Sequence, residues 1–162
     1  MAAKPLTTDD ILARLADGPR QIAGVAAGVA PARLRARPAP DEWSANDVLA
    51  HLRSCSDMWG RCIEAMVADD HPTLKAVNPT TWIKQTDYPN LEFAVSFRAF
   101  DAQRAGLLAL LEALPPDGWS RAATVTVAGK PRERTVHFYA EWLATHERPH
   151  LKQIARAIEA AR

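Results

Sequence analysis

Trp43-Ser44-Ala45-Asn46-Asp47-Val48-Leu49-Ala50-His51-Leu52 combines a helix start with a candidate ligand two turns further on. Ser44 with Asp47 three residues later forms a capping box in which Asp stands for the usual Glu or Gln. Trp43 is placed to staple that start against Val48. The helix so begun runs to about Ala68. One of its faces carries Val48, His51, Cys55, Met58, Cys62 and Ala65, an apolar stripe in which a lone imidazole is costly unless it is paired or bound.

Working outward, Thr7 or Thr8 before Asp9 and Asp10 caps an earlier helix with acidic residues in its first turn. Ile11, Leu12, Leu15, Ile22 and Val25 give that helix its apolar stripe, and Gly18-Pro19 predicts a bend. Pro31, Pro38 and Pro40 make the stretch between the two helices a connection. Beyond Ala68, residues 69–90 contain Pro72, Pro79 and Pro89 and predict a long loop with room for one short helical turn. A third helix follows over Leu91–Leu114, ended by Pro115 and Pro116. Thr124-Val125-Thr126-Val127 and then Ala128-Gly129-Lys130 predict a short extended segment and turn, too little for a real sheet. Thr135 caps the last helix, which carries Trp142, Leu143, Ile154 and Ile158 almost to Arg162. The expectation is an all-α fold, an antiparallel four-helix bundle with a long loop between its second and third helices, formed by residues 1–162 as one domain.

The length of 162 residues and 48% hydrophobic content are enough for one sizeable core. A formal charge of +1 without a block of like charges implies no nucleic-acid partner. Apolar runs such as Leu107–Leu111 fall far short of the roughly 20 residues that span a bilayer. The start lacks the basic and then apolar pattern of a secretory signal, so a cytoplasmic location is expected. Cys55 and Cys62, about 10 Å apart along one helix, are too far separated to form a disulfide, in keeping with a reducing compartment.

His146 and His150 lie four apart on the last helix, on the face of Tyr139, Trp142, Leu143, Ile154 and Ala157, so both imidazoles point into the bundle. Two readings stand at this point. His51, His146 and His150 are three neutral donors for Zn, Ni, Fe or Mn with a position left open, or His51 is a hydrogen-bonded core residue beside a chance pair. His71 in a loop and His137, about 180° round the helix from His146, are not first choices. His146-Glu147-Arg148-Pro149-His150 also fits the HExxH zincin pattern. Pro149 would bend the helix there, and no active-site sheet is apparent.

The Trp43–Leu52 segment resembles the start of the second helix of the DinB-like (DinB/YfiT) four-helix proteins, where a Trp-Ser opening precedes the first metal histidine. Arg134-Thr135-Val136 followed by His146-Glu147-Arg148-Pro149-His150-Leu151-Lys152-Gln153-Ile154 is similar to the family's last helix, where an H-x-x-x-H pair completes the triad. Together the two segments bracket residues 43–154. The resemblance implies a divalent metal, often Zn or Ni, on His51, His146 and His150. It also implies a small-molecule reaction in some relatives, among them transferases and isomerases that use low-molecular-weight thiols such as bacillithiol or mycothiol.

Three functional expectations follow. The first is a metal-dependent enzyme, a thiol transferase or hydrolase, presenting thiolate or hydroxide at neutral pH. In it Asp47, Glu147 and Tyr139 are second-tier candidates, each read first as a cap, a solvated charge and a core residue respectively. Cys55, one turn after His51, is a small buried hydrophobe, a fourth ligand or a reactive thiol. Trp82 is either part of a cover over the site or a packing anchor. The second expectation is a non-catalytic metal- or ligand-binding stress-response module that pairs as a homodimer. Exposed aromatics would favour it, but Phe93, Phe97 and Phe100 have core spacing. The third is a bundle without metal.

Overall fold

The computed structural model describes residues 2–161. Its elements in chain order are α1 (Thr8–Ala26), α2 (Pro31–Arg35), α3 (Ala45–Ala68), β1 (Thr73–Lys75), α4 (Pro79–Trp82), α5 (Phe93–Glu112), β2 (Ala122–Val127), β3 (Lys130–Thr135) and α6 (Val136–Ala160), with 3-10 turns at Ile83–Gln85, Tyr88–Asn90 and Pro116–Ser120. Capping boxes at Thr7/Asp10 and Ser44/Asp47 start α1 and α3. The Thr135 hydroxyl accepts from the Phe138 N–H at 3.0 Å to start α6.

Four long helices form the bundle, but not by simple alternation. The buried side chains fall into two clusters, one built on Leu15, Ile63, Leu111 and Val136 and the other on Ile22, Leu49, Phe93 and Ile158. Read along each helix, α1 and α6 run from the first cluster to the second, while α3 and α5 run from the second to the first. The expected antiparallel order is therefore corrected: α1 and α6 point one way, α3 and α5 the other. Residues 69–92 make this possible by returning along α3, with Trp82 and Tyr88 bonded to Asp57 and the Asn46 amide donating to the Leu91 carbonyl at 2.9 Å. Trp82 is thus a packing anchor. What was expected as a loop with one helical turn holds β1, α4 and two 3-10 turns, and the expected connection after α1 contains the single-turn α2.

The strict all-α expectation is also corrected. β1 pairs in parallel with β2, and β2 pairs antiparallel with β3, giving a small three-stranded sheet. The β2–β3 turn has Ala128 at φ 50° and Gly129 at φ 78°, the left-handed pair that a two-residue hairpin needs. Alternate β2 residues Ala123 and Val125 enter the core while their neighbours face outward. Val25, expected in the α1 stripe, is exposed. Phe93 and Phe100 are buried and Phe97 packs against their cluster, so the α5 phenylalanines are core, not a docking face.

Between the two clusters lies a polar layer. Arg104, 1% exposed, forms a bidentate ion pair with Glu147, 2% exposed, and its Nη1 also donates to the Leu15 carbonyl at 2.9 Å. That carbonyl is free because Pro19, four residues on, has no N–H to give it. Gly18 completes the arrangement, since a Cβ there would lie 2.9 Å from Glu147 Oε2. Pro19 therefore sits inside an unbroken α1 at the point where its missing donor is replaced by a guanidinium.

Glu147, expected as a solvated charge, is corrected to a buried partner of Arg104. Arg104→Ala or Glu147→Ala should lower unfolding free energy by about 3–5 kcal/mol, because each leaves an uncompensated buried charge. Chemical denaturation checks this. The apolar pair Arg104→Met with Glu147→Leu should recover most of the loss, and single variants as stable as the parent would contradict the account.

Candidate metal centre

At the same level of the bundle, the opposite side of the polar layer is built from α3 and α6. His51 lies between Leu49 and Leu52 of one core cluster and Cys55 of the other. His146 directly precedes Glu147, so with about 100° between successive residues the carboxylate turns to α1 and α5 while the imidazole turns to α3. The His51 and His146 ring centroids are 5.3 Å apart, His51 and His150 4.8 Å, and His146 and His150 4.7 Å. All three predicted histidines are brought together.

Pro149 does not disturb them. The carbonyl it leaves without a helical donor is that of Thr145; both residues lie on the exposed face of α6, which continues unbroken to Ala160.

The tightest set of donor atoms is His51, Cys55 and His146, whose ligating atoms lie within 4.8 Å of one another. Cys55 Sγ is 3.5 Å from His51 Nε2. His150 stands beside this set, with its Nδ1 2.8 Å from Gln153 Oε1. Because that amide oxygen only accepts, Nδ1 is the donor in this contact and Nε2 is the nitrogen left for a ligand, the usual way an outer residue orients a ligating imidazole. His146 Nδ1 is buried with no hydrogen-bond partner.

Burial, reinforced by the neighbouring imidazoles, lowers the pKa of both His51 and His146 to about 4, so at neutral pH both are uncharged bases. Burial, with the Glu147 charge behind it, pushes the Cys55 thiol up to about 12.

Two tryptophans bracket the cluster. The Trp43 ring centroid is 5.2 Å from His51 and 6.5 Å from His150, the latter stacked, and Trp59 meets His146 edge-on at 5.1 Å. Trp43 was expected only as a staple. Trp59 escaped the sequence reading although it lies one turn beyond Cys55 on the same face. Arg104 was missed too, and its signal was a lone cation in the stripe of Phe93, Phe97, Phe100, Leu107 and Leu111. His150, Trp43, Gln153 and Arg156 line an open cleft of about 690 Å³ that also meets Asp41 and Glu42. A second cleft, about 830 Å³ and lined by Trp59, Phe138, Tyr139 and Trp142, lies on the other side of Trp59.

The remaining candidates lie elsewhere. Asp47 caps α3 and pairs with Arg37 at 3.3 Å. Tyr139 is a core residue in the first cluster. His71 pairs with Glu133, and His137 donates to the Leu6 carbonyl at 2.9 Å.

No curated protein matches the sequence. Among solved structures, YfiT from Bacillus subtilis, described as a probable metal-dependent hydrolase with an unusual four-helix bundle topology, superposes with a TM-score of 0.78 over 97% of this chain and 90% of its own. At 14% identity the likeness establishes the fold. The model of the DinB superfamily matches residues 14–154, and that span contains the whole polar layer and every residue of the histidine cluster. The chain belongs to the DinB superfamily.

Proposed function

We propose that the protein is a metal-dependent enzyme acting on a small molecule, with His51, His146 and His150 holding one divalent transition metal. The observation that carries this reading is the buried, partnerless Nδ1 of His146 among three imidazole rings whose centroids are all within 5.3 Å. A polar atom buried without a partner costs about 1–3 kcal/mol, and a ligand supplies the missing interaction. Neutral nitrogen donors suit Zn or Ni, with Fe and Mn also compatible.

A metal held there would supply a Lewis acid that presents water or a small thiol as its anion at neutral pH. Gln153 orients His150. Trp43 and Trp59 flank the cluster on two sides with apolar rings. The cleft beside His150 admits the substrate, with Arg156 as the cation available to an anionic group. Two reaction classes share this chemistry: hydrolysis, the activity named as probable for YfiT, and transfer of a low-molecular-weight thiol of the bacillithiol or mycothiol type to an electrophile.

Elemental analysis of untagged protein should find about one equivalent of a transition metal, lost in the His146→Ala/His150→Ala double variant. Turnover of an activated ester, or of a thiol with an electrophile, should vanish with chelation and return with metal. Wild-type protein that stays metal-free after Zn or Ni is supplied would end the reading.

Acidification gives an independent check on the cluster. In chelated protein His51 and His146 have folded pKa values of about 4, below the ordinary value of 6.5, so between these limits the unfolded chain binds more protons. Stability should be fully present above about pH 6.5 and fall as pH drops toward 4. Denaturation of wild type and of the His51→Ala/His146→Ala variant across this window should show a shallower slope in the variant; equal slopes would contradict the assignment.

A further inference from the structure

Cys55 is one turn after His51 on α3, as His150 is one turn after His146 on α6. The two i, i+4 pairs face each other across the α3–α6 contact, and each presents a donor at both of its levels. We propose that Cys55 is the fourth protein ligand of the metal held by His51, His146 and His150, in a five-coordinate centre that would keep one position for water or substrate, and that it makes the centre selective for borderline-soft ions such as Zn, Co and Ni over Mn.

The inference rests on the three-histidine reading and adds a donor to it. A buried cysteine is ordinarily a small hydrophobe, and Cys62, half-buried beside Tyr139, fits that description. Cys55 differs in where its sulfur lies. Sγ is 3.5 Å from His51 Nε2, and the ligating atoms of Cys55, His51 and His146 are mutually within 4.8 Å. A residue serving only as core filling has no need to place its sulfur among nitrogen donors. Cys55 is also 1% exposed, so the thiol is closed off from solvent.

On binding, the S–H bond breaks heterolytically. The sulfur keeps the electron pair and donates it to the ion, and the proton leaves to solvent. One negative ligand among three neutral ones lowers the net charge of a divalent centre from +2 to +1, and thiolate softness shifts the preference away from Mn.

The test is a titration of the full-length, metal-free protein with Co²⁺ alone, followed by absorption. The expected result is one equivalent bound, with visible ligand-field bands and a thiolate-to-cobalt charge-transfer band in the near ultraviolet. That band should be absent in Cys55→Ser and Cys55→Ala and retained in Cys62→Ser. Cys55→Ser should also weaken Zn binding roughly 10-fold or more, at least the loss that follows removal of an outer residue. Ligand-field bands without the charge-transfer band, or a band that survives Cys55→Ala, would overturn the fourth ligand and leave the histidine site standing. Failure to bind cobalt at all would remove both.

Discussion

Burying Arg104 and Glu147 takes two ions out of water at a cost of several kcal/mol each, and the fold offsets most of it, leaving only Arg104 Nε of the pair without a partner. Their bidentate contact satisfies the carboxylate, and the Leu15 carbonyl takes a further guanidinium N–H. That contact exists only because Pro19 withholds its own donor, and the space exists only because residue 18 is glycine. The pair ties α5, α6 and α1 together at mid-height. Since His146 and Glu147 are consecutive, the rotation of α6 that seats the carboxylate also fixes the imidazole toward α3. A slip that freed one would displace the other.

Such a layer divides the apolar core in two. Apolar side chains above and below hold the helices, while polar groups between them are kept from water and from alternative partners. The crossover along α3 serves the same arrangement. By returning residues 69–92 to the other end of the bundle, it makes α3 and α5 parallel and lets α6 lie between α3 and α1, in contact with both. The sheet closes the opposite end, with β3 running directly into the Thr135 cap of α6.

Much of this was legible from local pattern. Ser44 with Asp47, and Thr135, set the starts of α3 and α6, and four-residue spacing put His146 and His150 on one face with His51 in an apolar stripe. Those signals are written within one or two turns of chain. The direction of α5 was not legible, because a connection of given length can return or continue and only its contacts with Asp57 and Asn46 decide. β1 escaped because three residues, Thr73–Lys75, carry no period. Glu147 read as solvated because its partner is 43 residues away. The expected damage from Pro149 did not occur, for the local reason that Thr145 and Pro149 lie on the exposed face of α6.

The central claim is that His51, His146 and His150 together hold one metal ion. It is tested most directly by anomalous diffraction from crystals of the Zn-loaded protein, with data collected on both sides of the Zn absorption edge. The account predicts one strong peak per chain, enclosed by the three imidazoles beside Trp43. A peak only at the exposed His71–Glu133 pair, or none within reach of His146, would contradict it.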